Sequence, residues 1–500
     1  MKQFLVLLLL GSICLSTVGC GSANVETASA GEQQYLGDTI ESHSLYPASS
    51  RGFVGDTMPF FDGDTFNVFY LDDLRNGQQG YHPWSLMKTK DFTTFEDIGE
   101  VIPFGKSMED QDIALGTGSV IKDKDGLYHA FYTGHNDIKS PKEAVMHATS
   151  SDMVNWTKIP EDTFTGSNYS TDDFRDPYVL YCEKEQCYWM LVATRADNTG
   201  VIVKYTSKDL SHWNDDGVFF VNDMGTDSNL ECPSLINYKN YWYLSFSDQW
   251  PSRVVHYRIC ESVDGEFRIP EKDYFDGNGF YAGRMETDGD RLFVVGWNAT
   301  KNNHSDSEEY NWAGNMVSHE LQQSKNGELE PVFNESIKAA LSNDLDLSPV
   351  NLTETVNNQN GNYSFSGKEY EVVVFDKILG SYLLENTISG YDDDSRFGYA
   401  FNLNRENVGN LNIIFDTKKN RIEFYNSAKV FEDTPQSTVD FDFSKHDEIK
   451  VSIVISDGLV VAYVNDEIAF TTRMYLSQGM SFGIFSINSS VDFQDVKLYR

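Results

Sequence analysis

The stretch Tyr188-Trp189-Met190-Leu191-Val192-Ala193 is a run of aromatic and aliphatic residues, a composition typical of a buried β-strand. Four similar segments occupy residues 66–71 (FNVFYL), 128–133 (YHAFYT), 241–246 (YWYLSF) and 291–296 (RLFVVG). Equivalent positions in the five segments are separated by 62, 60, 53 and 50 residues; they are Phe69, Phe131, Leu191, Leu244 and Val294. A recurring interval of this length indicates an internal structural repeat.

A second element follows three of the five segments. It is a Lys-Asp or Ser-Asp turn leading to an aromatic residue, at 90–95 (KDFTTF), 151–156 (SDMVNW) and 208–213 (KDLSHW). Each unit therefore consists of inner strands, a turn and an outer strand closed by an aromatic side chain. Five such units predict an all-β fold, a five-bladed β-propeller with four-stranded blades. A β-sandwich would also have many short strands, but it would not explain the period.

Composition restricts the classes of partner. Asp and Glu outnumber Lys and Arg 76 to 39, which gives a net charge of −37. This charge argues against nucleic acid and against anionic membrane surfaces, because both require a basic surface. It suits an exported protein that acts on neutral ligands.

The N-terminus has the pattern of a bacterial export signal. Lys2 precedes an apolar run from Phe4 to Leu15, and residues 15–20 (LSTVGC) resemble a lipobox ending at Cys20. We expect residues 1–20 to be a signal peptide and Cys20 to be lipidated, so that a lipid anchor is the only contact with the membrane. Ordinary cleavage followed by free secretion is the alternative. Residues 21–35 are polar and are expected to form a disordered linker.

The remaining chain divides into two predicted domains. Residues 36–336 are assigned to the propeller, which would be catalytic, residues 337–350 to a linker, and residues 351–500 to a β-sandwich. A short helix is expected from Glu335 to Leu341, across the boundary between the propeller and the linker. The C-terminal part contains further strand-like segments at sandwich spacing and an Asp457-Gly458 hairpin signal.

Acidic residues stand where the innermost strands of three units are expected to begin. Asp56 lies in blade one, Asp176 follows Arg175 in blade three, and Glu231 lies in blade four. Groups from different blades can converge on the central funnel of a propeller. Three acids without a recurrent His or Cys favour glycoside hydrolysis, in which two carboxyl groups flank the scissile bond. A non-catalytic sugar-binding propeller, or three unrelated surface acids, would give the same pattern.

Four short motifs resemble glycoside hydrolase family 32, the invertase, inulinase and levanase family. They are Phe174-Arg175-Asp176-Pro177, Leu230-Glu231-Cys232-Pro233, Gly116-Thr117-Gly118-Ser119 and Phe280-Tyr281-Ala282-Gly283. The resemblance implies a five-bladed propeller joined to a β-sandwich and a retaining β-fructofuranosidase that needs no cofactor. Its partner would be a neutral fructose-containing oligo- or polysaccharide, as in sucrose, inulin or levan.

The resemblance also implies roles for individual residues. Asp56 would be the nucleophile, Asp176 the transition-state stabiliser with Arg175 beside it, and Glu231 the acid/base. Walls of the fructosyl subsite would come from Trp84, Ser119 and Tyr281. Two segments depart from the family pattern. Residues 53–59 are FVGDTMP where the family usually has WMNDPNG, and residues 71–74 are LDDL where it usually has QYNP, so linkage preference does not carry over.

Other features leave alternatives open. Cys182 and Cys187 flank a hairpin turn, where an exported chain could form a disulfide. No His, Cys or acid spacing indicates a metal site. The rival functions are an arabinan- or xylan-cleaving propeller hydrolase, a carbohydrate-binding surface protein without turnover, and a transfructosylating enzyme.

Overall fold

The computed structural model describes residues 45–74, 81–428 and 433–500, whose regular secondary structure is almost entirely β-strand. The predicted lipidation site Cys20 and the predicted signal and linker segments lie outside these residues. No helix in the described ranges has the length and apolarity needed to span a membrane.

The first part of the chain folds into antiparallel sheets whose neighbouring strands are mostly consecutive in sequence. Its strands are β1 (Phe53–Asp62), β2 (Thr65–Asp73), β3 (Trp84–Thr89), β4 (Phe95–Ile102), β5 (Ala114–Lys122), β6 (Tyr128–His135), β7 (Glu143–Ser150), β8 (Thr157–Lys158), β9 (Phe174–Cys182), β10 (Cys187–Ala196), β11 (Thr199–Ser207), β12 (Asn214–Val221), β13 (Leu230–Tyr238), β14 (Tyr241–Asp248), β15 (Val255–Cys260), β16 (Tyr281–Thr287), β17 (Leu292–Lys301), β18 (Tyr310–Gln323) and β19 (Leu329–Val332).

Separate sheets contain β5 to β8, β9 to β12, and β13 to β15. The strands β1 to β4 and β16 to β19 belong to one larger sheet, joined by the pairing of Val54 in β1 with Gly314 in β18. The five repeated segments of the sequence fall in β2, β6, β10, β14 and β17, each paired with the strand before it. Three of those preceding strands carry the candidate acids: Asp56 lies in β1, Asp176 in β9 and Glu231 in β13.

The three recurrent Asp turns have the same local structure. Asp91, Asp152 and Asp209 each accept hydrogen bonds at Oδ1 from the backbone N–H groups two and three residues later, over 2.7–3.0 Å. In each turn the residue after the Asp has a positive φ, between 56° and 65°. These aspartates therefore fix the turn that leads to each outer strand.

The strands β1, β5, β9, β13 and β16 lie next to one another in a circular order, since each contacts the next and β16 contacts β1. All five have a break in pairing register close to their first residues. Such a bulge turns a side chain out of the regular alternation. The breaks coincide with the candidate site, because Asp56, Asp176 and Tyr281 each lie within or beside one.

The C-terminal part consists of a short helix and two further antiparallel sheets. The helix α1 (Glu335–Ala340) is capped by Asn334, whose side chain accepts a hydrogen bond from the Ser336 N–H. The strands are β20 (Asp344–Leu345), β21 (Pro349–Leu352), β22 (Asn357–Gln359), β23 (Asn362–Ser366), β24 (Glu371–Phe375), β25 (Tyr382–Ser389), β26 (Arg396–Leu403), β27 (Gly409–Asp416), β28 (Arg421–Tyr425), β29 (Ser437–Asp440), β30 (Glu448–Ser456), β31 (Leu459–Val464), β32 (Ile468–Arg473), β33 (Phe482–Ile487) and β34 (Ser490–Tyr499).

These two sheets share one hydrophobic core. One sheet has the order β22-β23-β34-β25-β30-β31-β32, with β20 beside β34, and the other has the order β21-β24-β33-β26-β27-β28-β29. Buried residues of both contact each other, for example Phe397 and Phe493 with ring centroids 6.2 Å apart. The predicted hairpin turn is present, because Asp457 and Gly458 both have positive φ between β30 and β31.

A buried arginine ties the two parts together. Arg473, at the end of β32, is 1% exposed and donates to oxygens of Asn298, Ala299 and Asn315 over 2.7–3.1 Å. These acceptors belong to β17 and β18. Every acceptor of the guanidinium that the structure records thus lies in the other part of the chain.

Candidate active site

Asp56 lies at the bulge of β1 and is held by two side chains from other strands. Thr117 Oγ1 donates to its Oδ2 over 2.7 Å, and Trp297 Nε1 donates to its Oδ1 over 2.9 Å. The residue before it must be glycine, since a Cβ on Gly55 would lie 2.4 Å from the Trp312 ring. The carboxylate is therefore fixed in orientation, with an aromatic ring beside it.

Asp176 is buried in β9 with a backbone φ of 60°. Its N–H donates to Thr133 Oγ1 over 2.9 Å, and its Oδ2 accepts from the Cys232 N–H over 2.8 Å. No hydrogen bond from the described residues reaches its Oδ1. A strained residue that is held from both sides is typical of functional sites, and here one carboxylate oxygen remains available to a ligand.

Glu231 lies in β13 and receives a donor on each oxygen. Arg175 Nη2 donates to Oε1 over 3.2 Å, and the Tyr281 hydroxyl donates to Oε2 over 2.6 Å. Arg175 is in turn fixed by Glu143 Oε2 at 3.1 Å and by Asp173 Oδ1 at 2.8 Å. The guanidinium thus joins strands β7 and β9 to the carboxylate on β13.

The three acids influence one another electrostatically. Burial raises the pKa of Asp56, and so does repulsion from the Glu231 carboxylate, while the Thr117 and Trp297 donors lower it. Burial also raises the pKa of Glu231, against the lowering effect of the Arg175 charge. For Asp176, burial raises the pKa, and the charges of Arg175 and Arg284 oppose it. Close, desolvated carboxyl groups of this kind can divide the roles of acid and base at neutral pH.

Arg284 is a further charged group at the site. It is 1% exposed, and its Nη2 donates to the Asp176 carbonyl over 3.2 Å. Its Nε and Nη1 have no hydrogen-bond partner among the described residues. A buried cation next to two acids favours their ionised forms.

The sequence of this chain matches the model of a known protein family. The model of the glycosyl hydrolases family 32 N-terminal domain matches residues 52–329, more than half of the chain. The chain belongs to glycosyl hydrolase family 32. The resemblance stated from its sequence motifs is thereby confirmed.

Curated relatives of this family 32 chain match at low identity. A sucrose-6-phosphate hydrolase of Zymomonas mobilis is 26% identical over 325 residues, which cover 57% of this chain and 61% of the relative. A levanbiose-producing levanase of Bacillus subtilis is 24% identical over 265 residues, which cover 48% of this chain and 49% of the relative. The chain therefore spans between half and about six-tenths of the length of these relatives.

Solved structures of family 32 proteins share the fold over nearly the whole chain. The structure of sucrose-6-phosphate hydrolase from Lactobacillus gasseri superposes with a TM-score of 0.69 at 18% identity, covering 93% of this chain and 94% of the other. A β-fructofuranosidase of Bombyx mori gives a TM-score of 0.67 at 17% identity, covering 91% and 93%. At these identities the likeness establishes the fold.

Of the three residues expected to line the fructosyl subsite of this family 32 chain, one contacts Glu231 and the other two are buried and support strands. Tyr281 contacts Glu231, as described. Trp84 is fully buried, and its Nε1 donates to the Gly116 carbonyl over 2.9 Å, so it packs in the core and does not line the site. Ser119 is also buried, and its hydroxyl accepts from the Val179 N–H over 2.9 Å. Both residues support the strands that carry Thr117 and Asp176.

Several residues of the site were not predicted from the sequence. Thr117 lies in the motif Gly116-Thr117-Gly118-Ser119, but that motif gave it no role of its own. Trp297 and Trp312 lie beyond the last repeated segment, with ring centroids 6.0 Å apart, and Glu143 opens an unremarkable strand. The signal for Trp297 was its position directly after segment 291–296, in β17, where it pairs with Tyr281 of the inner strand β16.

The cysteines of the hairpin are free in the structure. Cys182 and Cys187 are direct partners in the pairing of β9 with β10, and both are buried thiols. Cys187 Sγ lies 3.8 Å from Glu185 Oε2. The disulfide left open by the sequence is thus not formed here. Among the described residues, no three His, Cys, Asp or Glu side chains are grouped as metal ligands.

Proposed function

We propose that this chain is a retaining β-fructofuranosidase that hydrolyses fructosyl bonds in sucrose or in fructans of the inulin or levan type. The observation that carries the proposal is the convergence of Asp56, Asp176 and Glu231 from three inner strands, each held by donors from other strands. The relatives named as sucrose-6-phosphate hydrolase and levanase support the substrate class.

In the first step, Asp56 attacks the anomeric carbon of the fructosyl unit and forms a covalent ester. Glu231 transfers its proton to the oxygen of the leaving group as the glycosidic bond breaks. The Thr117 and Trp297 donors hold Asp56 in a single orientation, so little reorganisation is needed. Asp176, with its free Oδ1, accepts hydrogen bonds from sugar hydroxyls.

In the second step, the ionised Glu231 removes a proton from water, and the resulting hydroxide attacks the anomeric carbon. The ester bond to Asp56 breaks, and fructose leaves with its original anomeric configuration. Glu231 is then protonated again. Burial favours the protonated form of Glu231 before the first step, and the Arg175 and Tyr281 donors stabilise the carboxylate left after it.

Product analysis on sucrose, inulin and levan tests the proposal most directly, with arabinan and xylan as the substrates of the rival hydrolases. We expect fructose or short fructans from the first three and no product from the last two. The variant Asp56→Asn is the matched control and should lose at least ~10³-fold in kcat. Release of arabinose or xylose, or longer oligosaccharides built from sucrose, would favour the rival hydrolase or the transfructosylating enzyme.

The stereochemical outcome needs a separate measurement. With methanol as acceptor, a retaining enzyme forms the methyl β-fructofuranoside, and an inverting one cannot transfer with retention. Detection of the β-anomer by NMR supports the covalent role of Asp56. Formation of an α-anomer would contradict it.

We further propose that the protein is exported and anchored through a lipidated Cys20, and that its first domain has five blades. The sequence pattern at residues 15–20 supports the anchor, and the circular order of the five bulged strands supports the blade count. Mass spectrometry of the mature N-terminus tests the anchor, since an unmodified terminus at or beyond Gly21 would contradict it. A crystal structure would test the blade count.

A further inference from the structure

The loop between β14 and β15 presents an exposed aromatic ring near the candidate site. Trp250 is 37% exposed, and one face of its ring is covered by the Arg195 guanidinium at 5.5 Å. Its Nε1 donates to Asp227 Oδ1 over 3.0 Å, and its N–H donates to Ser228 Oγ over 3.0 Å. The ring is thus held in place although much of it faces solvent.

The rest of this loop is organised around a buried carboxylate. Asp248 accepts hydrogen bonds from the N–H groups of Ser252 and Val254, over 3.1 Å and 2.6 Å. Between them, Arg253 has a φ of 56°, and its guanidinium lies 4.7 Å from the centre of the Tyr281 ring. Arg253 makes no hydrogen bond or ion pair with the part of the chain that the structure describes. Its donors are therefore free for a ligand, directly above the tyrosine that contacts Glu231.

A continuous series of polar contacts leads outward from Glu231. Arg175 contacts both Glu231 and Asp173, and Asp173 Oδ1 accepts from Asn229 Nδ2 over 3.0 Å. Asn229 Nδ2 also donates to Gln249 Oε1 over 3.0 Å. This series forms a fixed wall that begins at the Glu231 carboxylate.

The wall ends at Trp250. Asn229 Oδ1 accepts from Arg195 Nη1 over 2.6 Å, and Arg195 covers the tryptophan ring. Ser228, which accepts a hydrogen bond from the Trp250 N–H, lies three residues before Glu231, so the Cα atoms of Ser228 and Glu231 are at most about 11 Å apart. Trp250 thus lies at the outer end of the wall, beyond the residues that contact the acid, where the second ring of a leaving group would lie.

We propose that Trp250 and Arg253 form a sugar-binding subsite on the leaving-group side of Glu231, for the second ring of a neutral fructan chain. The proposal rests on the proposed function and adds to it a preference for substrates longer than sucrose. The aromatic face of Trp250 suits the apolar face of a sugar, and the unpaired guanidinium of Arg253 suits its hydroxyls. A phosphorylated leaving group fits less well, because the carboxylates of Asp173 and Asp227 border the same wall.

The test compares two substrates. The leaving group of the first has a single sugar ring, and that of the second has two rings. Sucrose is the first, and a fructose trisaccharide of the inulin or levan series is the second. We expect Trp250→Ala to lower the ratio of kcat/KM for the trisaccharide to kcat/KM for sucrose by about threefold to tenfold, the effect of one lost stacking contact. Trp250→Phe should keep most of the ratio, and Arg253→Gln should lower it in the same direction.

Tyr181→Ala is the matched control, because Tyr181 is an aromatic residue with 39% exposure at the opposite end of β9. It should leave the ratio unchanged. An unchanged ratio in both Trp250→Ala and Arg253→Gln would overturn the subsite while leaving the proposed function intact. A larger loss on sucrose 6-phosphate than on the trisaccharide in Arg253→Gln would show a phosphate site instead. Inactivity of the unaltered protein on every fructoside would overturn both proposals.

Discussion

The hydrogen bond from Tyr281 to Glu231 allows a quantitative prediction. The hydroxyl lies 2.6 Å from Glu231 Oε2, and the tyrosine is 7% exposed, so water does not replace the bond easily. The substitution Tyr281→Phe removes this donor and keeps the ring that packs against Trp297. Arg175 continues to donate to the other oxygen of the carboxylate.

The expected effect is an upward shift of the pKa of Glu231. A hydrogen bond to a charged group contributes about 1.5–3 kcal/mol, and each pKa unit corresponds to about 1.4 kcal/mol. Because the hydroxyl stabilises the ionised form, its loss should raise the pKa of Glu231 by about 1–2 units. Activity requires the protonated acid, so the basic limb of the kcat/KM profile should move to higher pH by the same amount.

The measurement is the pH dependence of kcat/KM on sucrose, for the unaltered protein and for Tyr281→Phe. Tyr425→Phe is the matched control, because the Tyr425 hydroxyl also donates to a glutamate, Glu423, but in the second part of the chain. It should leave both limbs in place. A basic limb that stays fixed or moves to lower pH in Tyr281→Phe would refute the assignment of Glu231 as the acid.

Three further predictions concern other charges. Glu231→Gln should lower kcat/KM on sucrose by about 10²–10⁴-fold, the typical contribution of a general acid. The loss should be far smaller on a nitrophenyl fructoside, whose leaving group needs no proton. Equal losses on the two substrates would contradict the role of Glu231 as the acid. Arg284→Met should move the acidic limb to higher pH, because loss of the buried cation raises the pKa of Asp56, whereas Arg284→Lys should move it less. For His256, burial lowers the pKa and contacts with Asp248 and Asp273 outweigh it, giving about 9 against an ordinary 6.5. This raised pKa should contribute about 3 kcal/mol to the free energy of unfolding, fully below pH 6.5, and the contribution should be lost as the pH rises through 9. Urea unfolding should therefore give a smaller difference in the free energy of unfolding between pH 6 and pH 9.5 in His256→Gln than in the unaltered protein.

Much of the β architecture was accessible from the sequence because it depends on local patterns. The turn aspartates Asp91, Asp152 and Asp209 recur at nearly constant spacing and make the same backbone contacts. The acids were also accessible, since each stands at the beginning of an inner strand. In both cases the pattern that predicts the feature lies in one residue and its immediate neighbours in the sequence.

The surroundings of the acids were not accessible in this way. Trp84 was expected at the subsite wall by resemblance, but it is buried by packing against Phe69 and Tyr132, which lie on other strands. The contact of Gly55 with Trp312 joins residues more than 250 positions apart. Such pairs arise from the three-dimensional arrangement of the strands, and no local pattern indicates them.

The buried Arg473 limits which C-terminal modules recombination could join to the N-terminal part of this protein. All recorded hydrogen bonds of its guanidinium cross the boundary, so the C-terminal part contributes an interior residue to the N-terminal part. If the two parts were separated, the charge would lose all of its recorded acceptors, and the oxygens of Asn298, Ala299 and Asn315 would lose this donor. The C-terminal sheets are therefore not an exchangeable attachment. A replacement module would have to bring an equivalent cation to the same place.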